Sequence, residues 1–152
     1  MNIRHAVAAE ALPLSDLVIE AKAHWGYSAD VLAAWQSQLS VTAERILSSP
    51  VYVYAVGTTV AGFHALDTSA VAWKLEDLWV RPAWMRQGIG RSLLIHATGL
   101  AASHGIAELT IDAEPNAEAF YLACGAHRVG SVPAPIAGDP DRRRPQLVIP
   151  TR

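Results

Sequence analysis

With 152 residues, 51% of them hydrophobic, the chain has the length of one domain and enough apolar side chains for a full core. A formal net charge of -2 gives no basic footprint for a polyanion, so nucleic acid is not expected as a partner. One cysteine, Cys124, excludes an internal disulfide and points to reducing, cytoplasmic surroundings.

The opening MNIRHAVAAEA has no long apolar core, so no signal peptide is expected. Asn2 to Ala8 predicts a short strand, and Ala9 to Leu12 links it to a helix carrying Leu14, Leu17, Val18 and Ala21 at helical spacing. That helix is interrupted at Gly26. Ser28 is the expected N-cap of a second helix with Val31, Leu32, Trp35 and Leu39 on one face, and Thr42 restarts a turn that runs to Leu47. Pro50 ends the helical region.

Ile46 to Leu66 contains no Asp, Glu, Lys or Arg over a length that could nominally span a bilayer. Pro50 and the Gly57-Thr58-Thr59 break divide it, so it reads as a hairpin of Val51–Val56 with Val60–Asp67, and no membrane span is expected. The next strand is Val71 to Val80. Its apolar residues sit at 71, 73 and 75, then at 78 and 80, and this change of parity predicts a bulge near Glu76 and Asp77.

Gly90 to His104 is a strongly apolar helix closed by Gly105. Ala107 to Ala113 is the strand after it, which makes a parallel, right-handed crossover with the preceding strand. Pro115 to Cys124 is a short helix ended by Gly125. His127–Val132 and Pro145–Ile149 are the last strands, separated by a loop in which Arg142, Arg143 and Arg144 are expected to be solvated. No repeat or linker divides residues 1–152, which read as one domain.

The chemistry is concentrated in Leu75 to Ser92, LEDLWVRPAWMRQGIGRS. A helix beginning near Gly88 leaves the N–H groups of Ile89, Gly90, Arg91 and Ser92 without carbonyl partners, and its dipole favours an anion at that end. Gly88 and Gly90 let an acceptor oxygen come close, and Arg86 and Arg91 add charge. The Walker pattern is absent, because no Lys-Ser or Lys-Thr follows the second glycine. The dinucleotide fingerprint fails because position 93 is Leu93.

Strand, VRP, then QGIGRSLL resembles the acyl-CoA pyrophosphate loop of the GNAT N-acetyltransferases. Glu114 to Gly125, EPNAEAFYLACG, resembles that superfamily's Asn-containing turn and Phe-Tyr helix. One departure is Met85, where the family often carries Gln or Arg. The resemblance implies an α/β fold: a mixed, mostly antiparallel twisted sheet of six or seven strands with a central parallel pair, flanked by about four helices. It implies acetyl-CoA as co-substrate, transfer of its acetyl group to a primary amine of a small molecule or peptide, and a possible homodimer. Arg86, Gln87, Gly88, Ile89, Gly90, Arg91 and Ser92 would hold the pyrophosphate. Leu78, Trp79 and Val80 would offer backbone groups to the pantetheine arm, in the manner of an added strand, with Asn116 and Tyr121 beside it. A rival reading is a sensory module that binds acyl-CoA without turnover.

Attack on a thioester needs a neutral amine, and a lysine-like amine is neutral roughly one time in a few thousand at pH 7. Glu76, on the proposed bulge, is the first candidate base and Asp77 the reserve. Either could instead be an exposed strand residue or an ion-pair partner. Tyr121 is placed by the resemblance as the acid that protonates the leaving thiolate; on spacing alone it is a core tyrosine. Asn116 could equally serve a helix N-terminus. Trp25 and Tyr27 could line an amine pocket or cap the core. Cys124 is read as structural, and the six histidines show no metal-ligand spacing, so no metal is expected.

Overall fold

The computed structural model describes residues 2–152. Its elements run β1 (Ile3–His5), α1 (Ala11–His24), α2 (Ala29–Trp35), α3 (Ala43–Ser48), β2 (Val51–Val56), β3 (Thr59–Asp67), β4 (Lys74–Val80), α4 (Ile89–Ser103), β5 (Glu108–Asp112), α5 (Glu118–Ala123), β6 (His127–Pro133) and β7 (Arg143–Pro150). The strands form one sheet in the order β1-β2-β3-β4-β5-β7-β6. Every neighbouring pair is antiparallel except β4–β5.

Helices cover both faces of the sheet. Leu14, Leu17, Val18 and Ala21 of α1 are buried with Ile46 of α3 against Val51, Val53, Phe63 and Ala65. On the other face Leu94, Ala97 and Ala101 of α4 pack on Leu66, Leu75, Leu109, Ile111, Leu147 and Ile149. The expected cap forms at Ser28, whose Oγ accepts from the Val31 N–H at 3.2 Å, and a second forms at Thr42, whose Oγ1 accepts from the Arg45 N–H at 3.1 Å. The second cap starts a separate helix, α3, where the sequence predicted only a turn, and Leu39 lies beyond the end of α2.

The hairpin turns on two residues rather than three. Gly57 adopts φ +60°, and Val56 pairs directly with Thr59. β4 begins at Lys74 rather than Val71. Asp67 accepts from the N–H and hydroxyl of Ser69, which turns the chain after β3 and leaves Val71 98% exposed.

The bulge falls where the parity change put it. Ala65 pairs with Asp77 and Leu66 with Leu75, so Glu76 has no partner on β3. Leu75 and Leu78 therefore both reach the α4 and α5 core, while Trp79 packs with the α1 side. β4 pairs with β5 only through Lys74–Thr110 and Leu75–Ile111. Beyond Leu75 the two strands part, and β4 continues to Val80 with that edge unpaired.

Beneath α4, His64 is fully buried with Nε2 2.9 Å from Nδ1 of His96, while its own Nδ1 finds no partner. Burial, with the neighbouring His96, pushes the His64 imidazole down to about 3.

Candidate active site

Past the unpaired edge of β4, Pro82 opens a single 3₁₀ turn, and the chain then passes through the left-handed region at Arg86 (φ +62°) and Gly88 (φ +81°). For an arginine that conformation costs about 1 kcal/mol, and such strain gathers where the main chain must be aimed at something. Here it aims the start of α4. The N–H groups of Gly88, Ile89, Gly90 and Arg91 have no acceptor among the described residues. Ser92 departs from expectation. Its N–H donates to the Gly88 carbonyl at 3.0 Å, so the free donors end one residue earlier than the sequence suggested.

The two glycines act differently. An added Cβ at Gly88 would meet nothing within 4 Å, so its role is the positive φ. At Gly90 a Cβ would lie 3.3 Å from Phe120 Cζ and 3.7 Å from Val80 Cγ2. That glycine lets α4 approach α5 rather than admitting a ligand.

A cleft of about 560 Å³ opens where β4 and β5 part. Arg86, Gly88, Gly90 and Arg91 line one end, Leu78, Trp79, Val80 and Glu76 one wall, Asn116 and Tyr121 the other, and Trp25 with His24 the far end. Gln87 is exposed and Ile89 is buried in the core with Ala61 and Leu93; neither side chain lines the cleft, nor does Ser92. Trp84, Met85, Asp112, Glu114 and Cys124 line it as well.

Glu76 is exposed, with Oε2 3.4 Å from Nη2 of Arg45. Asp77 pairs with the same Arg45 nitrogen. It is buried, accepts from Trp79 Nε1 at 2.8 Å and does not line the cleft, so of the two carboxylates only Glu76 does. Tyr121 is 6% exposed, and its hydroxyl has no hydrogen-bond partner among the described residues. Burial, then the charge of Asp77, pushes the phenol well above its usual value, so it stays protonated.

At the far end the structure favours the packing reading of Tyr27 and departs from expectation at two arginines. Tyr27 does not line the cleft: its hydroxyl donates to Glu114 Oε1 at 2.5 Å and its ring packs edge-on to Trp35. Arg142 is not solvated. It is buried, donating to the Ala134 carbonyl at 3.0 Å and to the Tyr27 hydroxyl at 3.2 Å, with Nη2 3.5 Å from Glu114 Oε2. Arg144, also expected in solvent, binds the Asp112 carboxylate through two hydrogen bonds of 2.8 and 3.0 Å.

Glu114 is the centre of this cluster. Lys22 Nζ donates to its Oε2 at 2.6 Å and lies 4.6 Å from the Trp35 ring centroid and 5.3 Å from that of Trp79. Asn116 Nδ2 donates to Oε1 at 2.7 Å. Burial raises the Glu114 carboxyl, but the charge of Lys22 and the hydrogen bonds outweigh it, and the net shift is downward. Lys22 could have been found from sequence, because it stands four residues after Val18 on the buried stripe of α1, where a charge needs a buried partner.

The cleft suits an acyl-CoA: unpaired N–H donors and two arginines at one end, an unpaired strand edge along its length and the Tyr121 hydroxyl on its wall. Among the described residues no group of three or more His, Cys, Asp or Glu is placed to hold a metal ion, and no helix is long and apolar enough to cross a membrane.

The sequence profile of the acetyltransferase (GNAT) domain matches residues 21–133. No curated protein sequence matches the chain. Among solved structures, a GCN5-related N-acetyltransferase from Rhodopseudomonas palustris superposes with a TM-score of 0.80 at 18% identity, over 97% of this chain and 94% of that one. The PaiA N-acetyltransferase of Thermoplasma acidophilum, in complex with coenzyme A, gives 0.76 at 17% identity over 97% of each chain. The ribosomal-protein-S18-alanine N-acetyltransferase of Escherichia coli gives 0.69 at 22% identity, over 98% and 92%. These likenesses establish a shared fold.

Proposed function

The chain belongs to the GNAT acetyltransferase family, and from that premise we propose that it transfers the acetyl group of acetyl-CoA to a primary amine of a small molecule or peptide by direct attack on the thioester. The observation that carries this reading is that Glu76 and Tyr121 line the same cleft as the unpaired N–H groups at the start of α4.

In this reading the N–H groups of Gly88 to Arg91, with Arg86 and Arg91, bind the pyrophosphate. The free edge of β4 from Leu78 to Val80 takes the pantetheine arm like an added strand, and Asn116 faces the arm from the opposite wall. Glu76 accepts the proton of the incoming ammonium, directly or through water. The freed nitrogen lone pair bonds to the thioester carbon, the carbon–sulfur bond breaks, the Tyr121 hydroxyl gives its proton to the departing thiolate, and the surplus proton on the newly bonded nitrogen passes through water to the tyrosinate. Trp25 borders the side from which the amine arrives.

Two relatives of this fold act, by name, on a ribosomal-protein alanine and in complex with coenzyme A, which supports an amine acceptor and a CoA donor here. Replacing Glu76 by Gln keeps the shape of the bulge and removes the proton acceptor. Turnover should fall with acetyl-CoA affinity retained; unchanged turnover would remove Glu76 from the reaction.

A further inference from the structure

A primary carboxamide offers two donor hydrogens and one acceptor oxygen, and which of these a ligand meets depends on what holds the other end. Asn116 lies on the cleft wall, and its Nδ2 is 2.7 Å from Glu114 Oε1 and 3.3 Å from the Tyr27 hydroxyl. A deprotonated carboxylate only accepts, so the group facing Glu114 must be the NH₂. The Tyr27 hydrogen is directed at Glu114, which leaves its oxygen to accept from Asn116 and from Arg142. Both Asn116 hydrogens therefore meet acceptors of the protein itself.

We propose that Glu114 is a positioning residue for the acyl-CoA arm: by taking the Asn116 amide hydrogens, together with Tyr27, it leaves only the Asn116 Oδ1 acceptor for the cleft, to meet an N–H donor such as a pantetheine amide. This rests on the acyl-CoA reading above. Glu114 is itself held. Lys22 and Arg142 approach its Oε2 at 2.6 and 3.5 Å, so the carboxylate stays charged and cannot turn its other oxygen away. The cluster thus joins α1, the segment after it and the β6–β7 loop to one side chain of the cleft.

Glu114→Gln tests this, because the two sides of the carboxylate make opposite demands. Lys22 and Arg142 require the amide oxygen of the new glutamine, which turns its NH₂ towards Asn116 and forces that carboxamide to flip. The readout is the Kd of CoA by calorimetry. Asn116→Ala and Glu114→Gln should each weaken CoA about five- to tenfold, the worth of one hydrogen bond. The double variant should bind no more weakly than Asn116→Ala alone, within about twofold. An unchanged Kd in Glu114→Gln, or additive losses in the double variant, would overturn the proposal while leaving the acyl-CoA reading intact. On the unaltered protein without ligand, NMR should find both Asn116 side-chain hydrogens protected from solvent exchange; rapid exchange would overturn it too. Failure of the unaltered protein to bind CoA would remove the acyl-CoA reading and this inference with it.

Discussion

The two ends of the cleft are built by opposite means. The phosphate end comes from one continuous stretch, from the edge of β4 through Arg86 and Gly88 to the first turn of α4, and its donors are main-chain N–H groups. The far end is assembled from Lys22, Tyr27, Glu114, Asn116 and Arg142, with hydrogen-bonded partners up to 115 positions apart in sequence. A main-chain site depends on local φ and ψ and tolerates changes of side chain. A buried charge cluster depends on every partner being present, because each charge left alone in the interior costs several kcal/mol.

Removing the centre of the far end should therefore have the largest effect. Glu114→Ala leaves Lys22 and Arg142 buried without their carboxylate and should cost about 3–5 kcal/mol in urea unfolding. The Glu114 carboxyl titrates lower in the folded chain than its ordinary 4.5. Its contribution is thus complete above that pH and disappears as the pH falls through the folded value. Between the two ends, Tyr121→Phe should lower turnover by about a hundredfold or more while acetyl-CoA affinity barely changes, measured as kcat against Kd.

A third buried polar group separates pairing from burial alone. His64 has no charged partner and titrates near 3, against 6.5 in an unfolded chain. Below pH 6.5 the unfolded chain takes up a proton that the folded chain refuses, so stability falls on acidification. The loss from pH 7 to pH 5 should be about 2 kcal/mol, and it should vanish in His64→Leu once its stability is compared with itself across the same range. The smallest effect belongs to the phosphate end. Gly88→Ala meets no steric obstacle and pays only for φ +81°, about 1 kcal/mol by unfolding.

The same contrast governs what the sequence revealed. The strand, bulge, glycine turn and α4 are encoded by neighbours, so alternation, its change of parity at Glu76 and the Gly-x-Gly spacing predicted them closely. The cap at Ser28 was legible for the same reason. Arg142 was misread, and Tyr27 was left between two readings, because their environments are made by residues far away in the chain: nothing near Arg142 distinguishes it from Arg143, yet only the former is buried against Glu114. At the bulge the ion-pair reading of Asp77 is the one the structure shows, with Asp77 buried against Arg45 and Trp79 while Glu76 lines the cleft.

The most direct measurement is release of free CoA thiol from acetyl-CoA across a panel of small amines, amino acids and peptides, with acetyl-CoA binding followed in parallel. Amine-dependent release, lost in Tyr121→Phe while binding persists, is the expected result. Tight binding of acetyl-CoA with no release from any amine would contradict transfer and favour a sensory module.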